Sequence, residues 1–274
     1  NLKKNQSWKK KKKLVKNLDK IIAQIQFFKL DVTSEQSVKT AIEKMNIEAK
    51  ALNDRGIDVL INNAGFAFFE SVEELPIEAW EKTFDVNFFG ALRVIKEVLP
   101  DMKKRREGRI INTSSLAGLA TVPYQTHYCS SKAAMIALTQ GLCVETKEFN
   151  IKASAILPSD INTSFNKNSI AQTNQKDNSL TSIDLAALID NNPVNEKSDY
   201  FTKSQKVWKT IILNLIVSPP PIRVSRKIAR IIKAKRPKIS YLAGSFAQRF
   251  LVFFIRRIVS DEFTYWLLPK YYGL

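Results

Sequence analysis

Five short apolar runs, each closed by turn residues, alternate along this chain with longer stretches whose apolar residues recur every three to four positions. That alternation limits the fold more than any other feature. A run of about four to eight apolar residues fits a strand covered on both faces, and strands joined through helices lie parallel. The expected strands are Gln26–Leu30, Ile57–Asn62, Arg109–Thr113, Ile151–Leu157 and Lys238–Leu242. Between them the spacing predicts helices over Ser34–Asn53, with Thr33 or Ser34 as cap, and over Ile77–Lys104, with Pro76 near the start. Two more are predicted over Gln125–Phe149 and over Arg223–Lys235, the latter after the Ser218-Pro219-Pro220-Pro221 stop. The expected class is α/β, a doubly wound parallel sheet.

At 274 residues and 45% hydrophobic content the chain can bury one substantial core. We expect a single domain over residues 1–245, interrupted by a polar insertion at 159–217 that turns apolar and helical near Val207–Val217, and a C-terminal extension over 246–274. The net charge of +17 is uneven. Nine lysines face one aspartate in residues 1–20, and fifteen lysines and arginines face two acids in residues 203–274, so the middle of the chain is mildly acidic. The run Lys9–Lys13 reads as one face of an amphipathic helix continuing through Leu14, Val15, Leu18, Ile21 and Ile22. Base-stacking aromatics are not interleaved with it, so nucleic acid is not an expected partner. From Phe246 to Tyr272 aromatic and aliphatic residues alternate with Arg249, Arg256, Arg257 and Lys270. Such a basic amphipathic tail can lie on a membrane surface, pack on a pocket, or meet another subunit. No apolar run is long enough to span a bilayer. The two cysteines, Cys129 and Cys143, fall in one predicted helix and cannot bridge, which suits a reducing, cytoplasmic setting. One histidine and two cysteines make a metal site unexpected.

Tyr128 and Lys132 stand four apart, on one face of the helix predicted over Gln125–Phe149. A phenol is a poor acid and a poor base near neutrality, with an unperturbed pKa of about 10, unless a cation stabilises its anion. An ammonium at this spacing can do so. Three more signals precede the pair: Asp31-Val32 after a strand, Asn62-Asn63-Ala64-Gly65 after the next, and Asn87 in a long helix; Ser115 lies thirteen residues before Tyr128. The combination resembles the short-chain dehydrogenase/reductase family over roughly Phe27–Thr163, with weaker likeness to about Leu242. The resemblance implies a Rossmann-like sheet and oxidoreduction with NAD or NADP. Tyr128 would exchange the proton, Ser115 would hold the substrate oxygen, Lys132 would hold the nicotinamide ribose and lower the tyrosine pKa, and Asn87 would anchor a water. Asn63, Ala64 and Gly65 would let the backbone approach the cofactor, Asp31 and Val32 would meet its adenine, and Pro158, Ile161 and Thr163 would lie against the nicotinamide. Homo-oligomers through the long helices are implied as well. The long insertion and apolar tail suggest a hydrophobic alcohol or carbonyl substrate of steroid, retinoid or fatty-acyl type, hence lipid metabolism.

Two departures qualify the resemblance. Ser159 stands where the family has glycine, which raises the question of a positive φ. More seriously, the glycine-rich turn of the first βαβ unit is absent, so the chain reads as an N-terminally truncated member. A cofactor-free binding or membrane-associated fragment with a relic site is the alternative. His127 is expected at the helix start or pocket rim, and Cys129 packed in the helix.

Overall fold

A computed structural model describes residues 24–163, 165, 192–246, 248, 250 and 260–274. The chain divides into two units, Asn1–Leu30 and Asp31–Leu274. Of the first, the described residues 24–30 form no strand, contrary to the expectation for Gln26–Leu30. An apolar run becomes a strand only where a hydrogen-bond ladder forms along it, and the described sheet consists of four other segments. The expected Lys9–Ile22 helix lies outside the described residues.

The second unit is built on four parallel strands in the order β1 (Val59–Asn62), β2 (Gly108–Thr113), β3 (Ile151–Pro158) and β4 (Ser240–Ala243). β3 is central, and its buried residues run almost without interruption from Ala153 to Leu157, as a strand covered on both faces must. β1 is an edge, and its Ile61 is 42% exposed. Helix α1 (Glu35–Asn53) begins at Ser34, whose hydroxyl accepts the Ser37 amide at 3.2 Å. The long helix expected over Ile77–Lys104 is interrupted: α2 (Ile77–Phe84) passes through a π-helical turn, Asp85–Gly90, into α3 (Ala91–Arg105). α4 (Thr126–Glu145) crosses the sheet with residues on several sides buried, among them Met135, Ile136 and Leu142, and both cysteines within it are free.

Within the expected insertion, residues 164 and 166–191 lie outside the described residues. The apolar stretch that follows folds as α5 (Phe201–Ile216), which buries Val207, Trp208, Ile211 and Ile212 against Phe69, Val194 and Tyr272. α6 (Ile222–Lys233) packs Val224, Ile228, Ile231 and Ile232 onto the β2–β3–β4 surface. Arg109 of β2 donates to the Ile231 and Ala234 carbonyls at 2.8 and 2.6 Å, closing the end of that helix. Of the expected amphipathic tail, α7 (Asp261–Tyr272) is described, capped by the Ser260 hydroxyl. Tyr272 plugs its end into the α5 cluster, whereas Phe263 and Trp266 face outward, 47% and 55% exposed. No described helix is long and apolar enough to cross a membrane.

Candidate active site

The strands are parallel, so their carboxyl ends meet on one side, and there a cavity of about 970 Å³ opens. Asn63 and Gly65 follow β1 into it, Thr113 ends β2 and Ser114 and Ser115 follow, and Pro158 ends β3 and Ser159 and Asp160 follow. Tyr128 and Lys132 enter from the first turns of α4. The sheet topology therefore gathers residues that lie far apart in sequence.

The Ser114 hydroxyl, just past β2, donates to the Lys132 carbonyl at 2.7 Å and holds the start of α4 against that strand end; within α4 the Ser131 hydroxyl donates to the Tyr128 carbonyl at 2.7 Å. Asn87, 1% exposed in the π-helical turn, brackets the loop after β1. Its Oδ1 accepts the Phe66 amide at 2.9 Å, and its Nδ2 donates to the Phe66 carbonyl at 2.9 Å and to Ser131 Oγ at 3.1 Å. Both amide hydrogens are thus used on protein, and the side chain brackets the loop after β1 against α4. π-helical turns recur at functional sites. A second set of bonds crosses the sheet, from Asn62 Nδ2 to Asn112 Oδ1 at 2.9 Å and from Asn112 Nδ2 to Thr139 Oγ1 at 3.0 Å.

Lys132 is 4% exposed, and its ammonium donates to the Thr113 carbonyl at 3.1 Å and lies 5.6 Å from the centre of the Tyr128 ring. Burial lowers its pKa to about 8, so it is still mostly charged at neutrality. Burial pushes the Tyr128 phenol up, while a hydrogen bond with Ser115 pulls it down. The phenol is accordingly protonated at neutrality, the form in which it can give a proton. Ser115 is held extended by capping the short 3-10 turn Leu116–Gly118: its Oγ accepts the Ala117 amide at 3.1 Å and reaches the Pro158 carbonyl only at 3.5 Å.

Of the other expected cofactor contacts, Asn63, Gly65, Pro158, Ile161 and Thr163 line the cavity; Asp31, Val32 and Ala64 do not. The Asp31 carboxylate accepts the Thr33 amide and hydroxyl at 2.9 and 2.7 Å, a local turn ahead of α1. Gly65 is needed for space, since a Cβ there would stand 3.0 Å from Asn87 Oδ1 and 3.2 Å from Lys132 Nζ. The nicotinamide half of a dinucleotide fits this end of the cavity: Lys132 offers ammonium hydrogens, and the buried Thr113 Oγ1 has no partner among the described residues. A glycine-rich pyrophosphate turn is not present among the described residues.

The question raised by Ser159 is answered by its neighbour. Ser159 does not have a positive φ. Its hydroxyl accepts the Ser245 amide at 2.9 Å and fills the space beside Gly244, whose φ of +107° and missing side chain permit it. His127 stands at the helix start, as expected, but not on the pocket rim: it is fully buried, between the rings of Phe68 and Trp80, and its Nε2 accepts the Phe68 amide at 3.0 Å. Those rings come from the loop after β1 and from α2, remote in sequence. Burial lowers the His127 pKa to about 4. Sequence reasoning also missed Ser131, as well as Asp160 and Gln248 on the cavity wall, because their partners are nonlocal.

A parallel sheet flanked by helices, with serine, tyrosine and lysine at its carboxyl edge, defines a Rossmann-like α/β protein of the dinucleotide-dependent type. The family model described as short chain dehydrogenase matches residues 5–174, and the chain belongs to that family. Retinol dehydrogenase 8 of Bos taurus is 31% identical over 210 residues, 77% of this chain and 61% of that protein. The 3-ketodihydrosphingosine reductase of Bacteroides thetaiotaomicron is 37% identical over 148 residues, 54% of this chain and 53% of that protein. The chain thus spans about half to three-fifths of the length of these curated relatives. A short-chain dehydrogenase from Streptomyces avermitilis shares the fold, with a TM-score of 0.66 at 20% identity over 92% of this chain and 84% of that one.

Proposed function

We propose that the chain carries the proton-transfer site of an NAD(P)-dependent oxidoreductase that interconverts a hydrophobic alcohol and the corresponding carbonyl compound. The observation that supports this best is the convergence of Ser115, Tyr128 and Lys132 at one end of a cavity with largely apolar walls. Leu116, Val122, Ile211, Leu215 and Leu268 suit the hydrocarbon part of a substrate, and the names of the relatives point the same way. In the reductive direction Tyr128, protonated at neutrality, gives its proton to the carbonyl oxygen. Ser115 donates a hydrogen bond to the same oxygen and fixes its place, stabilising the charge that develops there. Lys132 would hold ribose hydroxyls, with Gly65 leaving room for the close approach. A bound nicotinamide would supply or accept the hydride. Phe263 and Trp266 on the outer side of α7, in the basic C-terminal part of the chain, favour contact with an anionic membrane surface.

Fluorescence titration with NADH and NADPH, followed by absorbance assays on medium-chain ketones, tests the reading. We expect dinucleotide binding and ketone-dependent oxidation, with Ser115→Ala lowering kcat by roughly a hundredfold. Absence of binding at millimolar dinucleotide would instead support the cofactor-free reading. Flotation with anionic vesicles tests the surface contact; Phe263→Ser with Trp266→Ser should reduce it, and unchanged flotation would remove it.

A further inference from the structure

One wall of the cavity carries polar groups that proton transfer does not use. Asp160, two residues past the end of β3, accepts a hydrogen bond from Gln248 Nε2 at 2.5 Å, and both residues line the cavity that holds Tyr128. The amide oxygen of Gln248 is buried and has no partner among the described residues. Two acceptors therefore converge on the cavity with a single donor between them.

Nothing among the described residues neutralises the acid. Among the described residues, Asp58, Asp85 and Asp101 form ion pairs and Asp160 does not. Of the two lysines lining the cavity, Lys132 is turned to the Thr113 carbonyl and Lys270 stands over the Trp266 ring. Burial holds the Asp160 carboxyl above its ordinary range, and its charge is felt at the Tyr128 and Tyr272 phenols. A half-buried carboxylate in a largely apolar cavity, with no cation among the described residues, is stabilised most by a ligand that brings both hydrogens and positive charge.

We propose that Asp160 and Gln248 form a subsite for a protonated amine carried by the substrate near its reacting carbon. Hydrophobic amino alcohols and amino ketones would then be selected over plain alcohols and ketones. The inference rests on the reading of this cavity as a substrate site. Asp160 would take the ammonium through a charged hydrogen bond, Gln248 Oε1 would accept a second hydrogen, and the apolar walls would take the chain.

Calorimetric titration of the full chain at pH 7 with 2-aminodecan-3-ol and with decan-3-ol tests it without turnover. The amine should bind at least about tenfold more tightly than the alcohol. Asp160→Asn, which keeps the shape of the side chain and the Gln248 contact, should bring the amine down to the affinity of the alcohol and leave the alcohol unchanged. Gln248→Leu should weaken the amine several-fold by the same comparison. Equal affinities in the wild type, or an unchanged ratio in Asp160→Asn, would overturn the subsite and leave the substrate cavity standing. Failure of both compounds to bind at millimolar concentration would overturn the cavity reading and the subsite together.

Discussion

Replacing Gly65 by alanine probes how closely the loop after β1 is fitted to the proton-transfer residues. The added Cβ would lie 3.0 Å from Asn87 Oδ1, 3.2 Å from Lys132 Nζ and 3.7 Å from Asn87 Cγ. Backbone strain does not enter, since Gly65 does not have a positive φ. Asn87 cannot withdraw without loosening its bonds to Phe66 and Ser131, and Lys132 cannot without leaving the Thr113 carbonyl. Forcing an extra carbon into such a contact costs about 1–3 kcal/mol. The loss of one Asn87 hydrogen bond adds roughly 0.5–1.5 kcal/mol, so a total of about 2–4 kcal/mol is expected. Urea unfolding of the wild type, Gly65→Ala, Asn87→Ala and the double variant measures it. Asn87→Ala removes the amide that the new methyl strikes, so the double variant should be more stable than additivity predicts by at least about 1 kcal/mol. A Gly65→Ala midpoint within about 0.5 kcal/mol of the wild type, or strict additivity, would refute the reasoning.

Three further outcomes follow from the same geometry. Between pH 6.5 and 4 the unfolded chain binds a proton at His127 that the folded chain refuses, so stability should fall with pH there by about 3 kcal/mol. Unfolding midpoints across that range should be flatter in His127→Gln, and identical profiles would count against a buried neutral imidazole. Gly244→Ala should destabilise by about 2 kcal/mol or more, from its φ of +107° and collision with Ser159 Oγ. Adding Ser159→Gly should relieve the collision and leave the strain, which denaturation of the pair would show. Tyr272→Ala should cost roughly 3 kcal/mol by emptying the α5–α7 cluster, read as a lowered thermal midpoint.

The parts of the fold legible in the sequence are those set by local pattern. β2, β3, α1 and α4 fall within a few residues of their expected ends because caps, turns and apolar period agree there. The π-helical turn at Asp85–Gly90 has no sequence period of its own and was hidden inside one long helix. Gln26–Leu30 has the composition of a strand, but pairing is a property of neighbours. Ser115, Tyr128 and Lys132 could be read from spacing along one segment of chain. Asp160 and Gln248 could not, being 88 positions apart and joined only by the fold. The sequence of the tail leaves a membrane surface, the pocket and another subunit open as its partner. In α7 the cavity takes Thr264, Leu267, Leu268 and Lys270 to Tyr272, and leaves Phe263 and Trp266 outside.

The central claim is that the Tyr128 hydroxyl is the group that exchanges a proton with the substrate oxygen. Tyr128→Phe removes that one oxygen and leaves the ring beside Phe165. NADPH binding, followed by fluorescence, and NADPH oxidation with an aliphatic ketone should be measured on the same preparations. The account predicts dinucleotide affinity within about threefold of the wild type and turnover lowered by at least about a hundredfold. A phenylalanine variant that binds NADPH and reduces the ketone at the wild-type rate would contradict it.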